Sequence, residues 1–156
     1  MNATSRDLDY LTRAVQLAAD ARERGDHPFG ALFVTIDGRV VEAMNSVNTA
    51  HDPTGHAETN LVRLAYDAFD AAQLAGGTLY TSTEPCAMCA GAIYWAGIGR
   101  VAFALSGHAL VDMVAVGSPA LDLPSREVFS HGFGVVVVEG PFDVPGAIEV
   151  HDGMWE

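Results

Sequence analysis

Two short stretches carry the residue types that do chemistry: His56-Ala57-Glu58 and Pro85-Cys86-Ala87-Met88-Cys89. Thiolate and imidazole are good ligands for zinc. Two cysteines three positions apart at a helix start can both point at one ion, and the helix dipole favours their thiolates. A histidine opening a second helix can complete a three-ligand set, which leaves the fourth position open, as in catalytic zinc sites. Glu58 stands two residues beyond His56, placed to take a proton from water there and deliver it elsewhere. The same residues admit blander readings. Cys86-x-x-Cys89 also suits a thioredoxin-like redox pair, a closed structural zinc site would recruit His27 or His51, and Glu58 also reads as a solvated helix residue.

The elements that must position these residues follow from periodicity. Leu8, Leu11, Val15, Ala18 and Ala21 recur at helical spacing, so about 5–24 forms an amphipathic helix that Gly25 ends. Segments 31–36 and 39–44 flank Asp37-Gly38, a two-residue hairpin signal. Asp52-Pro53-Thr54-Gly55 is loop chemistry, with Thr54 a cap for a helix from His56 to about Phe69. Thr78–Ser82 is a strand after the Gly76-Gly77 turn, Pro85 opens a helix running to Ala96, and Arg100–Leu105 is the next strand. Residues 106–116 read ambiguously as a helix, and 135–139 as a last strand. Residues 140–156 carry two prolines and three glycines and receive little regular structure. Strands alternating with helices behind a leading hairpin give a three-layer α/β/α domain on a mixed five-stranded sheet.

The chain has 156 residues, enough for one domain. Its 8 basic residues, all arginine, against 20 acidic ones leave a net charge of −12. That balance disfavours nucleic-acid phosphates as a partner. The apolar runs are too short to span a bilayer, and residues 1–7 hold no apolar signal core. Two cysteines so close together do not make a secreted disulfide framework, which points to a reduced, cytoplasmic protein.

Together, in order and at helix starts, the two stretches match the H-x-E…P-C-x-x-C pattern. The sequence resembles the cytidine-deaminase-like superfamily. Pro28-Phe29-Gly30-Ala31, Asn45, residues 52–58 and residues 83–92 resemble its purine and tRNA-adenosine branches, and Ile93-Tyr94-Trp95-Ala96 resembles bacterial guanine deaminases. The resemblance implies one zinc ion per subunit on His56, Cys86 and Cys89, with Glu58 as the proton shuttle. It implies that Asn45 hydrogen-bonds the base and that Phe29 and Trp95 contact the ring. The backbone N–H groups of Ala57 and Cys86 then meet the developing oxygen. It implies a homodimer acting on a small nucleobase or nucleoside, guanine to xanthine first, with cytosine, nucleosides, purine analogues and tRNA adenosine as alternatives. Two regions depart from the guanine branch. Ser106-Gly107-His108-Ala109 stands where an acidic residue is expected, with Asp112 a few residues late. The tail ends Glu149 to Glu156, with Trp155 and its acids candidates to cap the ring. His27, His108, His131 and His151 lack marking spacing and read as ordinary histidines.

Overall fold

The computed structural model describes residues 3–156. The first helix, α1 (Ser5–Arg24), starts on a capping box: Thr4 accepts from the Asp7 N–H, and the Asp7 carboxylate accepts from the Thr4 N–H. It ends at Gly25, whose φ of 101° only glycine adopts freely. Its buried stripe is Leu11, Ala14, Val15, Leu17, Ala18 and Ala21. Leu8, expected in that stripe, is exposed.

Strands β1 (Gly30–Val34) and β2 (Val40–Met44) form the expected antiparallel hairpin. The turn differs from expectation. The Thr35 N–H donates to the Arg39 carbonyl and the Gly38 N–H to the Thr35 carbonyl, so the loop is Ile36-Asp37-Gly38, with Gly38 left-handed. Three-residue hairpin loops use glycine in this way. The chain continues through α2 (Ala57–Ala68), α3 (Ala71–Gly76), β3 (Thr78–Thr83), α4 (Ala87–Ala96), β4 (Arg100–Leu105), α5 (Gly107–Met113), α6 (Ser125–Ser130) and β5 (Val137–Glu139). Helices α3 and α6, six residues each, carry too little periodicity to read from sequence. Gly76-Gly77, expected as a turn, closes α3.

The sheet order is β2-β1-β3-β4-β5, with β1 antiparallel to β2 and β3, and β3, β4 and β5 mutually parallel. This is the mixed five-stranded sheet anticipated above. Alternation along each strand sorts two cores. Leu32, Val34, Tyr80, Ala102 and Ala104 face α1, while Ala31, Phe33, Leu79 and Val101 face α2, α4 and Phe129 of α6. Helix α1 lies so close to β1 that a Cβ on Gly30 would stand 2.5 Å from the Ala14 carbonyl oxygen.

After β5 the tail crosses the α1 face, burying Val144 and Ala147, and makes a single 3₁₀ turn at Glu149–His151. Arg22 pins it by donating to the Val150 and Asp152 carbonyls at 2.8 and 2.6 Å. Among the described residues, no helix is long and apolar enough to cross a membrane.

Candidate active site

Helices α2 and α4 pack side by side on one sheet face and begin on His56 and Cys86. Neither N-cap residue makes a side-chain cap hydrogen bond. Thr54, expected as a cap, instead donates its hydroxyl to Asp52. Nδ1 of His56 lies 3.5 Å from Cys86 Sγ and 3.6 Å from Cys89 Sγ. Zinc bonded at about 2.3 Å to sulfur and about 2.0–2.1 Å to nitrogen, in tetrahedral geometry, sets those ligands about 3.6 Å apart. The two nitrogen–sulfur spacings therefore match those of zinc ligands, and all three ligand atoms lie within 4.8 Å of one another. Among the described residues, the candidate metal cluster consists of His56, Cys86 and Cys89, with neither His27 nor His51 in it. Three ligands leave a coordination position open.

A hydrogen bond from Cys89, aided by His56, holds the Cys86 thiol down to about 4. The Cys86 thiolate and burial push Cys89 upward. Hydrogen bonding to Cys86 raises His56. The start of α4 thus favours the Cys86 thiolate.

Glu58 is buried beside the cluster, with Oε2 3.6 Å from Cys89 Sγ. Burial, reinforced by the Cys86 charge, raises its carboxyl above the ordinary value. The Thr81 hydroxyl lies 2.9 Å from Glu58 Oε1 and 2.9 Å from the Thr83 carbonyl oxygen. It has one proton to give. It donates to Glu58 when the carboxylate is charged. When Glu58 is protonated, Thr81 accepts from it and donates to Thr83. One hydroxyl therefore serves both protonation states of the carboxyl. Nothing in the local sequence marks Thr81 for this task, because β3 register alone brings it there.

His56 and Cys86 open onto a cavity of about 700 Å³. Phe29, Trp155 and His27 are among the residues that line it. The tail puts His151 5.4 Å from the Phe29 ring and within hydrogen-bond reach of Trp155, whose Nε1 donates to His151 Nδ1 at 3.2 Å. No arginine or lysine lines the cavity. Asn45, expected to hydrogen-bond the base, is 1% exposed and does not line the cavity, its Oδ1 accepting from the Val47 N–H. Trp95, expected to contact the ring, is 84% exposed and does not line the cavity. It follows Tyr94 on α4 and falls on the helix face turned from the sheet. His108 does line the cavity, 3.2 Å from Asp122, while Asp112 stays outside. His151, read as ordinary, is buried.

Nothing in the local sequence marks Glu84 for a role, yet it ties the cavity together. Its Oε2 accepts from the Gly107 N–H at 3.0 Å, and its Oε1 accepts from the N–H and hydroxyl of Ser125 at 2.9 and 2.8 Å. Those partners are the first residues of α5 and α6. One carboxylate thereby fastens both ends of the 106–125 excursion to the loop that carries Cys86.

Residues 4–105 match the family described as the cytidine and deoxycytidylate deaminase zinc-binding region. A probable cytosine deaminase of Schizosaccharomyces pombe is 37% identical over 155 residues, 98% of this chain and 94% of that protein. The guanine deaminase of Bacillus subtilis is 48% identical over 88 residues, 56% of each chain. Its crystal structure superimposes with a TM-score of 0.64 at 36% identity, covering 78% of this chain and 83% of that one. A tRNA-specific adenosine deaminase of Bacillus subtilis is 32% identical over 133 residues, 85% of this chain and 80% of that protein. Matched across that span, with the ligand set and the buried glutamate in place, this chain belongs to the cytidine and deoxycytidylate deaminase zinc-binding family and is a zinc-binding hydrolytic deaminase of the cytidine deaminase-like superfamily.

Proposed function

We propose that the chain hydrolyses the exocyclic amine of a free nucleobase or its nucleoside, releasing ammonia, with guanine to xanthine as the leading reaction. The observation that carries this reading is the open His56-Cys86-Cys89 triad, with buried Glu58 at its edge, facing a cavity that no arginine or lysine lines. Zinc on those ligands supplies Lewis acidity that makes water acidic near neutral pH. Glu58 takes the proton of the attacking water and gives it to the ring nitrogen beside the amine-bearing carbon, then helps protonate the departing amine. Thr81 holds the carboxyl through both states. The N–H groups of Ala57 and Cys86 stand at helix starts, where they can meet negative charge on the carbon's new oxygen. Phe29 offers a ring face.

Guanine is favoured by the higher local identity to the guanine deaminase. Cytosine is the second reading, favoured by the relative matched along its whole length. A tRNA substrate is disfavoured by the net charge of −12 and by a cavity that no arginine or lysine lines. Ammonia release by zinc-loaded protein from guanine, cytosine, adenine and their nucleosides tests the proposal. Activity on guanine that survives in zinc-loaded Glu58→Ala would overturn the role of Glu58.

The molecule acts as a cytoplasmic homodimer. Support for a dimer comes from the large apolar side chains Trp95, Phe133 and Val135, which are exposed on the α4 and 133–135 surface. A monomeric mass by light scattering refutes it.

A further inference from the structure

Guanine, cytosine and their nucleosides explain only the zinc end of the cavity. A volume of about 700 Å³ lies well inside the range of pockets that enclose drug-sized ligands, and a bare base would leave most of it to water. The remainder is walled by the 106–125 excursion, through Leu110, Val111, Val114, Leu121 and Leu123, with Val47 opposite. Leu110, Val111 and Val114 are half-buried, while Leu121 and Leu123 are exposed, so apolar area stands open inside the cavity. Polar groups on this wall are few. His108 and Asp122 face each other at 3.2 Å and satisfy one another, and Ser118 lies among prolines and alanine. A ribose would bury hydroxyls against this wall with few partners, and a phosphate would find no arginine or lysine, only a His108 already paired with Asp122. An apolar group would gain from it.

We propose that the substrate is an aminoheterocycle bearing an uncharged apolar substituent, of aryl or branched alkyl type, seated against the 106–125 wall. The inference rests on the deaminase reading above and deepens it: the reacting ring lies at the zinc ligands and the substituent fills the space beyond. The reaction consumes one water and releases one ammonia, and the substituent is unchanged.

The test compares ammonia release from guanine, 9-benzylguanine and guanosine, and from cytosine, 1-benzylcytosine and cytidine, with zinc-loaded protein. A benzyl compound is expected to exceed its parent base in kcat/KM by about tenfold or more, within the range that apolar pocket contacts supply. Leu110→Asp and Val111→Asp are expected to shrink that ratio toward unity. A parent base or a nucleoside equal to or better than its benzyl derivative overturns the inference while leaving the deaminase reading in place. No ammonia from any compound overturns the deaminase reading. The substituent is then judged by thermal shift of zinc-loaded protein with 9-benzylguanine against guanine: a larger shift for the benzyl compound supports the wall as its seat, and equal shifts overturn it.

Discussion

Replacing Glu84 by alanine should loosen the cavity wall while sparing the zinc site. The carboxylate accepts three hydrogen bonds, one from Gly107 and two from Ser125. Ser125 is fully buried, so in Glu84→Ala its N–H and hydroxyl lose their acceptor where water does not reach easily. A buried donor left unmade costs about 1–3 kcal/mol. The Gly107 N–H is nearer the surface and recovers a water. Allowing for partial relaxation, docking of the 106–125 excursion weakens by about 2–4 kcal/mol, mostly from Ser125. At about 1.4 kcal/mol per factor of ten, the open excursion becomes about thirty to a thousand times more populated. Amide hydrogen exchange reads this directly, since local opening is measured against the global core. Residues 107–125 should exchange faster by that factor, while β1 and β3 stay protected. In the ammonia assay KM should rise more than kcat falls, because the reacting groups keep their places. Glu84→Gln, with one oxygen still able to accept, should fall between. Unchanged exchange in 107–125, or a loss of protection spread equally over β1 and β3, would refute the clamp.

Three further outcomes follow from the geometry. Chelation of zinc should lower thermal stability by about 4 kcal/mol when the free ion had stood at a thousand times its Kd, a drop of about 8–16 °C for a chain this size; calorimetry with and without chelator checks it, and an unmoved midpoint removes zinc from the folded state. Burial, with Arg22 nearby, drives His151 down to about 4, against about 6.5 in an unfolded chain. The unfolded state then binds the extra proton, so the stability of the docked tail is complete above about pH 6.5 and is lost as pH falls toward 4. Trp155 fluorescence should report that release, and His151→Phe should flatten the pH dependence. Gly30→Ala should cost about 1–3 kcal/mol, because its Cβ would stand within 2.6 Å of the Ala14 carbonyl oxygen and the Ala18 nitrogen on α1. An unaltered melting temperature would contradict that close approach.

The parts of this molecule that were legible in sequence are those encoded within one or two turns of chain. The α1 stripe, Gly25 as its stop, the hairpin and the parallel strands all carry local periodicity or a turn residue, and each is present. The metal triad was legible for the same reason: His56 and the Cys86–Cys89 pair announce ligand chemistry by type and spacing. What escaped depends on register between distant segments. Thr81 reaches Glu58 only because β3 lies where the sheet places it. Glu84 looks like an ordinary acid before a proline until Gly107 and Ser125 are folded onto it. Trp95 was expected at the ring on resemblance, but its place on α4 after Tyr94 turns it outward.

Helix starts show why the site could be found where local rules fail. Helices α1, α3 and α5 begin on Thr4, Asp70 and Ser106, and each side chain accepts from an N–H of the first turn. That is the ordinary way to satisfy the free donors of a helix end. Helices α2 and α4 begin instead on His56 and Cys86, which make no such bond. The sequence starts α2 at His56 and offers Thr54, a better cap than histidine, to precede it. The helix ignores that cap, and its first N–H groups and positive end remain turned toward the ligand cluster. Stability forgone at two caps is returned as an electrostatic field that favours thiolates and an oxygen gaining charge. Installing good caps at these positions, for instance His56→Ser and Cys86→Ser, would suit the helices and dismantle the centre, because a cap consumes the same N–H groups and contributes no zinc ligand of comparable strength.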